Sequence, residues 1–249
     1  MRTHAALLAA MILCACATRQ APLPSVAEVQ DRFVGAIGGR TAIMAPRSIT
    51  MRSRYVMYGP RGKRVVVAIV VYQANFKRFE IDQVAGRGRY LSGYDGTIGW
   101  ALDPDGKTQI VSGHNAISIR RDADLYYWAH IPTYFRDMTV VGIESFAGHR
   151  CYHLRGTTLW GNENNQYYDV ANGLLTGYRF HQWIAGTPEK EETRQVFERY
   201  QRFGKLSFPT RETDFRENRM TGITRLLSVE YDSVDPTRFI PPANLRARS

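Results

Sequence analysis

From Ser48 onward the apolar residues recur at every second position, and with one interruption they do so almost to the end of the chain. A period of two puts successive side chains on opposite faces of a strand, so it commits this stretch to sheet. In the first segment Ile49, Met51, Ser53, Tyr55 and Met57 share one face, and Thr50, Arg52, Arg54, Val56 and Tyr58 share the other. The second segment, Arg64 to Gln73, is apolar on both faces, with Val65, Val67, Ile69 and Val71 opposed to Val66, Ala68, Val70 and Tyr72. Such a strand belongs inside a sheet that is covered on both sides.

Short turns fix how these segments connect. Gly59-Pro60-Arg61-Gly62, Gly86-Arg87-Gly88, Asp95-Gly96, Asp103-Pro104-Asp105-Gly106 and Ala171-Asn172-Gly173 each leave too little chain for a crossover, so the strands form antiparallel hairpins. Strands resume at Thr139 to Glu144 and continue through Arg150 to Thr157, Asn165 to Val170, Leu174 to Trp183, Thr193 to Arg202, Leu206 to Thr213 and Ile223 to Val234. The whole reads as a mainly β, β-rich α+β domain of about eleven strands with helices on one side. One helix precedes the sheet. Ser25 and Glu28 form a capping box, Val26, Val29, Phe33 and Ile37 make one apolar face, and Gly38-Gly39 ends it. A second, short and aromatic, is expected between Asp122 and Ile131, stopped by Pro132.

The first residues are organised differently. Residues 1–15 have a basic start at Arg2, an apolar run from Ala5 to Leu13 and a small-residue end, the layout of a cleaved secretory signal. Leu13-Cys14-Ala15-Cys16 resembles the bacterial lipobox, in which the last cysteine is acylated. Cys16 is therefore the expected lipidation site, residues 16–24 a flexible tether, and residues 25–249 a single domain. By resemblance to enterobacterial sorting, Ala17 rather than an aspartate after the cysteine implies an outer-membrane anchor with the domain in the periplasm.

The formal net charge is +10. The basic residues are scattered along strands and turns with no run of five, so an anionic membrane face is the expected counterpart and nucleic acid is not. His149, Cys151 and His153 share a strand face but lack a fourth ligand nearby, and no metal or other cofactor is expected. No serine-hydrolase elbow, phosphate loop or zinc-protease signature occurs, so catalysis is not expected either.

Four features in order carry a family resemblance: the helix ending in Gly38-Gly39-Arg40, the segment from Gly93 to Pro104, the hairpin Tyr167-Tyr168-Asp169 with Gly173-Leu174-Leu175, and Phe239 with Pro241 after a long strand. In these the chain resembles the LolA/LolB-like superfamily of lipoprotein-localisation factors and lipid-carrying lipoproteins. The resemblance implies a curved, incomplete antiparallel barrel whose apolar concave face is lidded by short helices and holds a lipid, a lipoprotein acyl chain or another hydrophobic ligand. Met51, Tyr55, Val67, Phe79, Trp100 and Trp128 are the expected lining. The alternative is a non-enzymatic structural or interaction subunit of an envelope assembly, with the same side chains packed as a closed core and a protein as the partner.

Overall fold

The computed structural model describes residues 22–60, 62–111, 114–183, 190–242 and 245. Cys16 and the leader lie outside them.

The described residues form one antiparallel sheet of thirteen strands. The first half is β1 (Ser48–Gly59), β2 (Gly62–Gln73), β3 (Lys77–Val84), β4 (Gly88–Tyr94), β5 (Gly99–Leu102) and β6 (Thr108–Val111). The second is β7 (Phe135–Phe146), β8 (His149–Thr158), β9 (Glu163–Asp169), β10 (Leu175–Trp183), β11 (Lys190–Phe203), β12 (Leu206–Arg216) and β13 (Arg219–Tyr231). Within each half every strand pairs with the next, and β1 pairs with β13, which joins the two halves in the middle. β6 and β7 remain as edges, so the sheet does not close. The connection between them carries α3 (His114–Asp122), α4 (Tyr127–His130) and a 3-10 turn at Ile131–Tyr134.

This is the β-rich, helix-lidded class expected from the sequence, with thirteen strands in place of about eleven. β5 and β6 have only four residues each, too few for alternation to mark firm ends. The helix α3 is not anticipated, because its polar sequence carries no broad apolar stripe.

α1 (Val26–Ala36) begins as the capping box dictates. The Ser25 Oγ accepts from the Glu28 N–H at 3.2 Å, and the Glu28 carboxylate accepts from the Ser25 N–H at 2.6 Å. Val29, Phe33 and Ile37 are buried, in one cluster with Leu154, Tyr168, Leu175, Leu206 and Phe208 from the sheet. Gly38 lets the chain leave the helix against the β11–β12 turn: its φ is 131°, and a Cβ there would sit 2.4 Å from the Lys205 carbonyl oxygen. The Ser207 N–H donates to the Ile37 carbonyl at 2.8 Å across the same junction. α2 (Arg40–Met44) follows and adds Ile43 to the cluster. These helices fill the concave face over β8 to β12.

β2 is covered on both faces, as its sequence requires. Val66 and Ala68 are buried on one side and Val71 on the other. On the Val71 side the sheet carries Phe79 and Trp100, their rings 6.0 Å apart. A Cβ at Gly93 would lie 2.6 Å from the Trp100 ring, so glycine makes room for the indole there. The C-terminal 3-10 turn Pro236–Phe239 packs against β3, with Phe239 buried. Among the described residues no helix is long and apolar enough to cross a membrane.

Candidate functional site

The helices do not fill the whole concave face. Over the middle of the sheet, beside α3 and α4, they leave a cavity of about 670 Å³. Its apolar wall comes from successive strands: Met51 on β1, Val70 on β2, Leu226 on β13, Phe208 on β12, Phe197 on β11 and Phe180 on β10. Leu125 and Trp128 of the β6–β7 connection complete it. Trp128 packs edge-on against Phe33 of α1 at 5.3 Å, so the helix that fills one half of the face also props the cover of the other.

That cover is held by one buried carboxylate. Asp124 accepts from the Tyr126 N–H at 2.9 Å and the Tyr134 hydroxyl at 2.7 Å, and its other contact is the His130 Nδ1 at 2.8 Å. The Tyr126 hydroxyl donates to the Pro46 carbonyl at 3.0 Å, tying the segment to the approach to β1. Burial and the Asp124 carboxylate together push the Tyr134 phenol upward, so it stays a donor.

Polar groups also enter the wall. Arg78 of β3 pairs with Glu80 at 2.6 Å beside the Tyr72 ring. Arg121 of α3 pairs with Asp122 and lies 4.8 Å over the Trp160 ring. On β12, Glu212 and Asp214 are two residues apart and so share a face. The Gln195 Nε2 donates to both, at 2.8 and 3.1 Å. Burial, then the Asp214 carboxylate, push the Glu212 carboxyl up to about 8. Burial, then Asp214, push the Tyr55 phenol up to about 12.

The Glu212 shift has a consequence for stability. A carboxyl whose folded value is raised stabilises the fold fully below its unfolded value, near 4.5, and loses that contribution as pH rises through the folded value of about 8. Glu212→Gln is thus expected to match the parent near pH 5 and to exceed it by about 2 kcal/mol near pH 9, read by denaturant unfolding across that range. Parallel pH profiles for the two proteins would contradict the assigned burial.

The expected lining residues separate. Met51 and Trp128 line the cavity. Tyr55 is on the same face of β1, farther along, where its ring occupies the space over Gly222; a Cβ there would lie 2.4 Å from it. Val67, Phe79 and Trp100 are on the opposite face of the sheet and do not reach the cavity. The reason is parity: Val70 and Tyr72 face the cavity, so Val67 and Val71 face away, and register carries Phe79 and Trp100 with them. The residues that take their place, Phe180, Phe197, Phe208 and Leu226, alternate just as clearly in sequence. What hides them there is that which face is concave depends on curvature.

The three residues weighed for a metal each have other partners. His149 Nδ1 lies 2.7 Å from Asp169, and His153 contacts Glu144 and Asn165 at 2.7 Å each. Cys151 is buried and donates to the Thr176 hydroxyl at 3.5 Å, and burial pushes its thiol up. All three lie on the face away from the cavity, since Tyr152 and Leu154 between them join the α1 cluster. Among the described residues no group of three or more His, Cys, Asp or Glu is placed to hold a metal ion.

An open antiparallel sheet wrapped around a helix-covered, largely apolar cavity defines a distinct class of fold. Solved structures share it. A LolA superfamily protein from Nitrosomonas europaea matches with a TM-score of 0.62 at 11% identity, over 88% of this chain and 99% of that one. A DUF1329 family protein from Desulfovibrio piger matches with a TM-score of 0.60 at 13% identity, over 86% and 97%. A domain designated an outer membrane lipoprotein-sorting protein, from Vibrio parahaemolyticus, matches with a TM-score of 0.56 at 9% identity, over 80% and 92%. The chain therefore has the LolA-like fold that its sequence resembles. No protein-family model matches the sequence, and no curated protein matches it.

Proposed function

We propose that the cavity holds the apolar part of a lipid, a lipoprotein acyl chain or a similar hydrophobic molecule. On this reading the protein is a non-enzymatic binding component of envelope lipid or lipoprotein traffic. It hangs from the outer membrane by acyl chains on Cys16, with its domain, residues 25–249, in the periplasm.

The observation that carries the reading is the space itself. Six strands and the β6–β7 connection converge apolar side chains on one face, and a volume of about 670 Å³ is left between them. That lies within the range of small-molecule sites, roughly 300–1,000 Å³. A scaffold with a closed core has no use for such a space, since interiors pack to crystal-like density. The name of the Vibrio parahaemolyticus domain adds support, while its low identity leaves the cavity as the main argument. The basic surface suits a domain held close to anionic headgroups. The test is native mass spectrometry of delipidated protein exposed to an envelope lipid extract. The expected result is an adduct of one acyl-chain lipid; absence of any adduct across lipid classes would sink the proposal.

A further inference from the structure

The charges in the cavity wall are unequal in one respect. Both wall arginines already have a carboxylate: Arg78 has Glu80, and Arg121 has Asp122. Asp124 is occupied by His130, Tyr134 and a backbone N–H. Glu163, at the rim, accepts from the Asn165 amide at 3.2 Å. Glu212 and Asp214 differ. Their side-chain partners among the described residues are neutral: the Gln195 amide, which serves both, and the Tyr55 hydroxyl beside Asp214. Among the described residues no ion pair reaches either, and Arg216, the next residue on that face, is paired with Glu191 at 3.1 Å. Glu212 lines the cavity with Asp214 next to it on the same strand face, and with no cation beside them the pair keeps a proton on Glu212.

A second observation marks the same spot. Thr193 precedes Gln195 by two residues on β11 and so shares its cavity-side face, between Phe180 of β10 and Arg216 of β12. It is only 7% exposed, and its Oγ1 has no hydrogen-bond partner. Its place is diagonal to Asp214, within reach of a group bound there. Phe180, Phe197 and Leu226 form the apolar wall next to this pole.

We infer that the ligand is an amphiphile with an amine-bearing, cationic head, its chain on the Phe180–Phe197–Leu226 wall and its ammonium at Glu212 and Asp214. Among the described residues an anionic head would meet no unpaired cation in the wall, and it would face two carboxyl groups. A cation at the pair favours the ionised form of Glu212, so its binding displaces the proton held there. This inference rests on the proposed ligand-binding role of the cavity and assigns the chemistry of the head.

The experiment compares dodecylamine, dodecanoate and dodecyl maltoside below their micelle concentrations, at neutral pH. Binding is followed by fluorescence of the wall tryptophans Trp128 and Trp160. Dodecylamine is expected to bind on the order of tenfold more tightly than dodecanoate. In the Glu212→Gln, Asp214→Asn double variant that ratio should fall close to one. Equal or tighter binding of dodecanoate to the parent protein overturns the inference, as does a ratio that survives in the double variant. If none of the three probes binds, the ligand-binding reading itself fails, and the head-group inference falls with it.

Discussion

Replacing Phe33 by alanine should lower the unfolding free energy by about 3–5 kcal/mol. Phe33 is fully buried, with its ring edge-on to Trp128 at 5.3 Å and to Tyr168 at 5.5 Å. It therefore ties three elements together: α1, the sheet at β9, and the segment covering the cavity. Helix α1 cannot compensate by shifting. Its C-terminal end is fixed by Gly38 against Lys205, and Gln30 donates to the buried Tyr168 hydroxyl at 2.7 Å. The void left behind would keep most of its volume, which places the cost toward the upper part of the range. The measurement is urea unfolding, in which the midpoint should fall while the slope stays the same. A loss below about 1 kcal/mol would mean that α1 is not part of the core.

Replacing Cys16 by serine should move the protein from the membrane fraction to the soluble periplasmic fraction almost completely. The argument is energetic. Each buried methylene of an acyl chain contributes about 0.8 kcal/mol, and stable anchoring needs more than one chain. A serine hydroxyl does not form the thioether that begins the modification. Among the described residues no helix is long and apolar enough to span a bilayer. Residual attraction of the basic surface to anionic lipid would be weak and lost in high salt. Fractionation of cells producing the parent or the Cys16→Ser variant decides it. Equal membrane retention of the two proteins would refute the anchor.

Much of the fold was legible in the sequence because it rests on local signals. The capping box at Ser25 and Glu28 forms as its spacing dictates, and β2 is covered on both faces as its double apolar pattern requires. The turns at Asp95-Gly96 and Asp103 to Gly106 fall between strands where the glycines allow them. The cavity was less legible, for a physical reason. Alternation divides a strand into two faces but does not say which one curves inward. In β1 the face of Met51 and Tyr55 is the concave one, whereas in β2 the concave face is that of Val70 rather than Val67. Phe79 and Trp100 have the size and apolarity of cavity residues, yet they lie on the far side of the sheet. The Glu212 and Asp214 pair was hidden for a related reason. Its strand shows charges at alternate positions, as a solvent-facing strand would, and only the pairing with β11 and β13 places them on the cavity side.

The central claim is that this cavity is a ligand site and not a packing remnant. Native mass spectrometry of the parent and a Leu226→Trp variant, both delipidated and exposed to the same envelope lipid extract, tests it most directly. Leu226 projects into the space from β13, and an indole there would occupy volume the acyl chain needs. The account predicts a lipid adduct on the parent and its loss in a variant that unfolds at an unchanged or higher denaturant concentration. Equal adduct on both proteins, or none on the parent, would contradict it.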